Sequence, residues 1–224
     1  MKNLALFDLD HTLLPIDSDY EWGQFLVRVK AVDADEYKRR NDDFFAQYQA
    51  GVLDPVEYLE FALGTLARFE RGELEAMYAQ YMAEVIAPAI RPAARDLVQR
   101  HLDAGDLVAI ITATNHYLTA PIARAFGVEH HIAAMPEYDA HGKLTGKLAG
   151  TPTSGPGKVT HMHAWLEGLG RPFASFERSH FYSDSHNDLP LLSVVSHPVA
   201  TNPNAALAQH ARANGWPLLH LFND

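Results

Sequence analysis

Apolar residues follow two rhythms along this chain. Asn3 to Phe7, Leu107 to Ile111 and His180 to Ser183 are short apolar-rich runs, with the length and continuity of strands buried on both faces. Val199-Ala200 and Leu218 to Phe222 are candidate later strands. Between these runs the spacing is helical, over Arg91 to Asp103, His116 to Phe126, Lys158 to Leu169 and Pro203 to Asn214. Each of these stretches ends near a glycine, and Asn202 is placed to cap the last of them. Strands alternating with helices predict an α/β fold with a mostly parallel sheet and helices on both faces. Residues from about Ser18 to Ile86 break the alternation. They contain no strand pattern and read as four helices: Asp19 to Val29, Asp35 to Gln49, Pro55 to Phe69 and Glu73 to Ile86. Glu137 to Gly146 reads as a hairpin turning at Ala140-His141-Gly142.

Three polar clusters stand at the ends of three predicted strands: Asp8-Leu9-Asp10-His11-Thr12, Thr112-Ala113-Thr114-Asn115 and Asp184-Ser185-His186-Asn187-Asp188. In open α/β sheets ligands bind in the crevice beyond the carboxyl ends of the strands, so these clusters are expected to share one site. Asp8 and Asp10, two apart, would leave a strand on the same side. With Asp184 and Asp188 they put four carboxylates in one pocket, where each raises the pKa of the others. A hard divalent cation relieves that repulsion, and an all-oxygen ligand set suits magnesium. A phosphoryl group would still need a lysine opposite the acids. Lys158 follows Ser154-Gly155-Pro156-Gly157 and opens a helix, where the N-terminus adds positive potential.

Composition narrows the partners. The 224-residue chain carries a formal net charge of −10, against the basic face that nucleic acid or anionic lipid requires. It has no cysteine, so disulfides, thiolate metal sites and thiol catalysis are excluded and a reducing compartment is the natural setting. With no span-length apolar run either, a cytoplasmic location is expected. Other phosphate and hydrolase signatures fail: Pro152 stands where the first glycine of an ATPase phosphate loop belongs, and there is no dinucleotide glycine fingerprint, H-E-x-x-H or G-x-S-x-G.

The ordered set, D-x-D-x-T at Asp8, Asp10 and Thr12, a hydroxyl at Thr112, Lys158, and D-x-x-x-D at Asp184 to Asp188, resembles the haloacid dehalogenase superfamily of phosphohydrolases. The helical insert after the first motif is similar to the small C1-type cap of its phosphoserine-phosphatase-like branch. The resemblance implies a Rossmann-like core over 1–14 and 89–224 and a helical-bundle cap over 15–88. It implies Asp8 as nucleophile and Asp10 as general acid and base. It also implies Mg2+ held by Asp8, the Asp10 carbonyl and Asp184. Thr112, the Ala113 N–H, Lys158 and Asn187 would meet the phosphoryl oxygens, with Thr12 and Asp188 orienting them. The expected partner is a small-molecule phosphate monoester.

The insert opens Asp17-Ser18-Asp19-Tyr20-Glu21-Trp22, and Asp17, Glu21 and Trp22 are candidates to contact a cationic or ring-bearing substrate. The alternative is a helix start with Trp22 in the core. Phosphoserine phosphatases carry Glu near the position of Asp17 and an arginine for the substrate carboxylate; here only Arg39 and Arg40 are candidates for that arginine. The segments around Asp8, Thr112 and Asp184 are similar to a bacterial subgroup that includes histidinol-phosphate phosphatases, of histidine biosynthesis. Phosphoserine hydrolysis, phosphoryl transfer to another alcohol and non-catalytic phospho-sensing remain alternatives, the last disfavoured by Asp10.

Overall fold

The computed structural model describes residues 2–222. Seven strands form one sheet in the order β4-β3-β2-β1-β5-β6-β7. They are β1 (Asn3–Phe7), β2 (Leu107–Asn115), β3 (His130–Tyr138), β4 (Leu144–Ala149), β5 (Arg178–Ser183), β6 (His197–Thr201) and β7 (Leu218–Leu219). All pairings are parallel except β3 with β4. Alternation along the buried strands divides the core: Ala5, Phe7, Val108 and Ile110 pack on one side of the sheet, and Leu4, Leu6, Leu107, Ala109, Ile111 and Phe181 on the other. α8 (Pro156–Gly168), α9 (Leu189–Leu192) and α10 (Ala205–Asn214) cover the second side through Met162, Leu191 and Leu207.

After β1 the insert forms four helices, as the spacing predicts: α1 (Ser18–Arg28), α2 (Ala34–Ala50), α3 (Pro55–Leu66) and α4 (Arg71–Tyr81). The Asp17, Asp33 and Asp54 side chains cap the first three by accepting backbone N–H groups. α4 widens into a π-turn over Met82–Ile86 just before Pro88, which has no N–H to continue the α pattern. A short α5 (Ala87–Ala89) then leads to α6 (Pro92–Asp103), and α7 (His116–Ala125) follows β2. The insert shares a hydrophobic cluster with the sheet: Trp22, Phe25, Leu63, Tyr78 and Tyr81 belong to the same buried group as Phe7, Leu9, Ile110 and Leu118. Within the insert the Tyr81 hydroxyl ties the end of α4 to α1, donating to the Ser18 carbonyl at 2.6 Å, and the Tyr78 hydroxyl fastens the insert outward by donating to the Leu118 carbonyl. α3 lies so close to β4 that a Cβ on Gly146 would stand 3.0 Å from the Gly64 Cα.

Several sequence expectations shift. β2 runs on through Thr112 to Asn115 instead of ending at Ile111, and β7 is two residues long. The hairpin begins well before Glu137, because β3 starts at His130 as a parallel partner of β2 and becomes antiparallel to β4 only at its far end. Asn202 does not cap α10. Asn204 does, accepting from Leu207 N at 2.9 Å, while Asn202 sits at φ +47 and donates to the His11 and Thr12 carbonyls, both at 3.1 Å. Among the described residues no helix is long and apolar enough to cross a membrane.

Candidate active site

Parallel register brings the three polar clusters together. Phe7 is paired with Ile110 on one side and Tyr182 on the other, so the chain leaves β1, β2 and β5 along one edge of the sheet. Asp8 follows at once, its N–H donating to the Tyr182 carbonyl at 2.9 Å. Because β1 ends at Phe7, strand alternation does not aim Asp10. The turn aims it, passing through His11 at φ +57 and pinned from outside by Asn202. The Asp10 Oδ1 accepts the Ser18 N–H at 2.7 Å and its Oδ2 the Thr114 hydroxyl at 2.8 Å. Burial, then the charge of Asp17, push the Asp10 carboxyl up to about 6.

Lys158 is 2% exposed, and its ammonium lies between two carboxylates, 2.7 Å from Asp8 Oδ1 and 2.7 Å from Asp188 Oδ2. Burial alone would lower its pKa; the charges of Asp188 and Asp8 outweigh that and hold it above the ordinary lysine value. Ser183 donates to the same Asp188 oxygen at 2.6 Å. The approach of Lys158 depends on Gly157, where an added Cβ would fall 2.2 Å from the Pro152 carbonyl oxygen.

Thr12 shows why this edge suits a cation. Its single hydroxyl accepts the Asp184 N–H at 3.0 Å and faces two carboxylate oxygens, Asp8 Oδ2 at 3.3 Å and Asp184 Oδ1 at 3.2 Å. One hydroxyl proton cannot serve both oxygens. Burial, then the charges of Asp8 and Asp188, push the Asp184 carboxyl well above its ordinary pKa. Among the described residues no three His, Cys, Asp or Glu side chains form a metal cluster. A donor set of the Asp8 and Asp184 carboxylates with the Asp10 carbonyl would therefore be sparse. Magnesium takes such sets, keeping water and substrate phosphate in the remaining positions.

Above these groups opens a cavity of about 730 Å³. Asp8, Asp10, Thr112, Ala113, Lys158, Asn187 and Asp188 lie on its sheet side; Asp17, Tyr20, Asn41, Phe44, Phe45, Tyr48 and Tyr58 line the insert side. Asp17 thus faces the cavity, but Glu21 and Trp22 do not line it. Helical periodicity turns Trp22 inward, 2% exposed, among Phe25, Tyr78 and Tyr81, and it carries Glu21 away from the opening. Arg39 and Arg40 are exposed and outside the lining; Arg40 covers the rings of Phe44 and Phe61. His186 is exposed and faces His210. Ser18, Thr114, Ser183, Ser185 and the insert aromatics were not singled out from sequence. The density of aromatic residues between Tyr37 and Phe61 is the signal for most of the last group, and Tyr20 stands in the opening stretch of the insert.

A sequence profile of haloacid dehalogenase-like hydrolases matches residues 5–193. A histidinol-phosphatase from Neisseria meningitidis serogroup C (strain 8013) is 44% identical over 220 residues, covering 98% of this chain and 99% of that one. The phosphoserine phosphatase SerB1 of Mycobacterium tuberculosis (strain ATCC 25618 / H37Rv) is 36% identical, over 96% of this chain and 69% of its own. A crystal structure of a protein with unknown function from Bordetella pertussis Tohama I superposes with a TM-score of 0.94 at 50% identity, over 99% of this chain and 100% of that one. Four motifs in order, their convergence at one sheet edge and a profile match over most of the sequence lead to one assignment: the chain belongs to the haloacid dehalogenase-like hydrolase family.

Proposed function

We propose that the protein is a magnesium-dependent phosphatase that cleaves a small phosphate monoester through an aspartyl-phosphate on Asp8, with histidinol phosphate as its substrate. The observation that carries the substrate reading is that, among the described residues, Lys158 is the only basic one lining the cavity. Lys158 is needed for the phosphoryl group. Phosphoserine would bring a carboxylate as well, and among the described residues no second cationic side chain lines the cavity to receive it. Histidinol phosphate has an amine and an imidazole but no carboxylate, which suits walls of Asp17, Tyr20, Asn41, Phe44, Phe45, Tyr48 and Tyr58. The Neisseria relative, similar over nearly all of both chains, bears the matching name.

In this reading residues 1–14 and 89–224 are the catalytic core and 15–88 the cap that carries specificity. An Asp8 carboxylate oxygen attacks phosphorus and the ester oxygen leaves. Asp10, held by Ser18 and Thr114, gives that oxygen its proton and then takes one from the water that attacks the aspartyl-phosphate. Its elevated pKa suits both halves of this exchange. Lys158, Thr112, the Ala113 N–H and Asn187 bind the phosphoryl oxygens, while Asp188 and Ser183 hold the lysine in place. Thr12 holds the Asp184 main chain by accepting its N–H and donates its one hydroxyl proton to a single neighbouring carboxylate, that of Asp8 or of Asp184. A magnesium ion held by Asp8, Asp184 and the Asp10 carbonyl would supply charge to offset that building on the phosphoryl oxygens.

A panel of phosphate monoesters assayed for inorganic phosphate, with magnesium and with EDTA, tests this. The expected result is magnesium-dependent release, abolished by EDTA and restored by the metal. The kcat/KM for histidinol phosphate should exceed that for phosphoserine by at least ~10²-fold, since the buried carboxylate of phosphoserine would go unpaired. A preference for phosphoserine would reject the substrate reading.

A further inference from the structure

Asn41, on α2, is 2% exposed and lines the cavity. Its Nδ2 donates to the Tyr20 main-chain carbonyl at 3.1 Å. A carbonyl can only accept, so the amide has one orientation, with its nitrogen on α1 and its oxygen away from that carbonyl. The approach depends on Gly23, where an added Cβ would stand 2.6 Å from the Asn41 Nδ2. Among the described residues no donor meets the Asn41 Oδ1, and it is not one of the polar atoms sealed away without a partner, so it opens onto the cavity that the residue lines. Asn41 also begins a stripe. Phe44, Phe45 and Tyr48 follow it at the spacing of one helix face, and all three line the same cavity. The Tyr20 ring extends the stripe, packed on Phe45 with ring centroids 4.9 Å apart. A ring-lined wall ending in one placed acceptor orients a ligand that is flat and carries a donor in its plane. Leucine would fill the same space on α2 without leaving an amide oxygen unpaired.

We propose that Asn41 is a specificity-determining residue: its Oδ1, at one end of the aromatic stripe on α2, accepts the ring N–H of a phosphate ester that carries a flat nitrogen heterocycle. The inference rests on the phosphatase reading above and deepens it by naming the group that recognises the ring. Such a ring can lay its face on Phe44, Phe45 or Tyr48 and still direct an N–H along its own plane to the amide oxygen. A phenyl ring of similar shape gains the stacking and leaves that oxygen without a donor. A site built around an acceptor rejects the analogue that lacks the donor, because its own buried polar atom then goes unpaired. The amide is neutral, so it reads the N–H and not the charge of the substrate.

The test compares histidinol phosphate with phenylalaninol phosphate, which keeps the amine, the phosphate and a flat ring but has no ring N–H, in wild type, Asn41→Leu and Asn41→Asp. The ratio of the two kcat/KM values does not depend on the fraction of folded enzyme, so partial unfolding of a variant cannot mimic the effect. Wild type is expected to prefer histidinol phosphate. In Asn41→Leu the ratio should fall by about tenfold, the scale of one net hydrogen bond, with the change in KM rather than kcat. Asn41→Asp keeps an oxygen acceptor in the same place, so it should retain the preference. A purely structural role for Asn41 would lower both esters in proportion and leave the ratio unchanged in Asn41→Leu, which overturns the inference. A ratio as low in Asn41→Asp as in Asn41→Leu would assign the loss to disturbed packing on α1 and overturn it too. So would a wild type with no preference for the heterocycle, which needs no variant to observe. Hydrolysis of 4-nitrophenyl phosphate keeps the two readings apart. If wild type hydrolyses it but the ratio is insensitive to Asn41, only this inference fails. If wild type releases no phosphate from any ester, the phosphatase reading fails and this one with it.

Discussion

Asp8→Asn is expected to lower phosphate release by at least ~10⁴-fold while leaving the protein folded, because an amide nitrogen cannot replace a carboxylate oxygen as the attacking group. The two oxygens of Asp8 have different neighbours, Lys158 at 2.7 Å and the Thr12 hydroxyl at 3.3 Å. Asn matches the shape and can keep one of these contacts through its carbonyl oxygen. The loss should therefore lie in kcat, with binding of a phosphate ester weakened much less. Steady-state phosphate release and the melting temperature check this together. A variant retaining more than about a hundredth of the wild-type rate would remove Asp8 from the chemistry.

Lys158→Met is expected to have two large consequences. The ammonium is nearly inaccessible and lies 2.7 Å from each of two buried carboxylates. Met fills similar volume but leaves Asp8 and Asp188 facing each other without a counter-charge. Breaking a buried ion pair from one side costs about 3–5 kcal/mol. Burial already raises the Asp188 pKa and the lysine opposes that, so without Lys158 this acid escapes the cost by taking up a proton. A group shifted in that direction loses stability as pH rises through the carboxylate range. The deficit relative to wild type, measured by urea unfolding in EDTA, should therefore be full at about pH 8 and shrink towards about pH 4. Phosphate release should be lost at every pH, because the phosphoryl oxygens lose their lysine. A variant as stable as wild type at neutral pH would contradict the ion triad.

The sheet was legible because the buried strands are nearly pure apolar runs closed by polar residues, and the family resemblance carried by the four motifs is borne out by the profile match. β3 was missed because its parallel part, His130 to Ala134, mixes histidines with small residues and has no long apolar run. The candidate site separates along the same line. Asp8, Thr112 and Asp184 could be placed together because strand ends converge by rule, and Lys158, which opens a helix, joins them through the order of the motifs. Helix periodicity marks which residues turn inward, but an inward face can meet a core or a cavity. Trp22 turns into the aromatic cluster and Tyr20, two residues earlier on the same helix, turns to the cavity wall. Asn202 and Asn204 are chemically equivalent as caps, and only the turn geometry, with Asn202 at positive φ, decides between them.

The central claim is a covalent phosphoryl group on Asp8, and trapping that group tests it most directly. With 4-nitrophenyl phosphate the leaving group departs without a proton, so Asp10→Asn should still be phosphorylated but should be slow to admit the attacking water. Acid quench in the presence of magnesium, followed by peptide mass spectrometry, should find one added phosphoryl group on the peptide containing Asp8 and none when Asp8 is also replaced by Asn. A phosphoryl group on another residue, or none at all while phosphate is still released, would contradict the account.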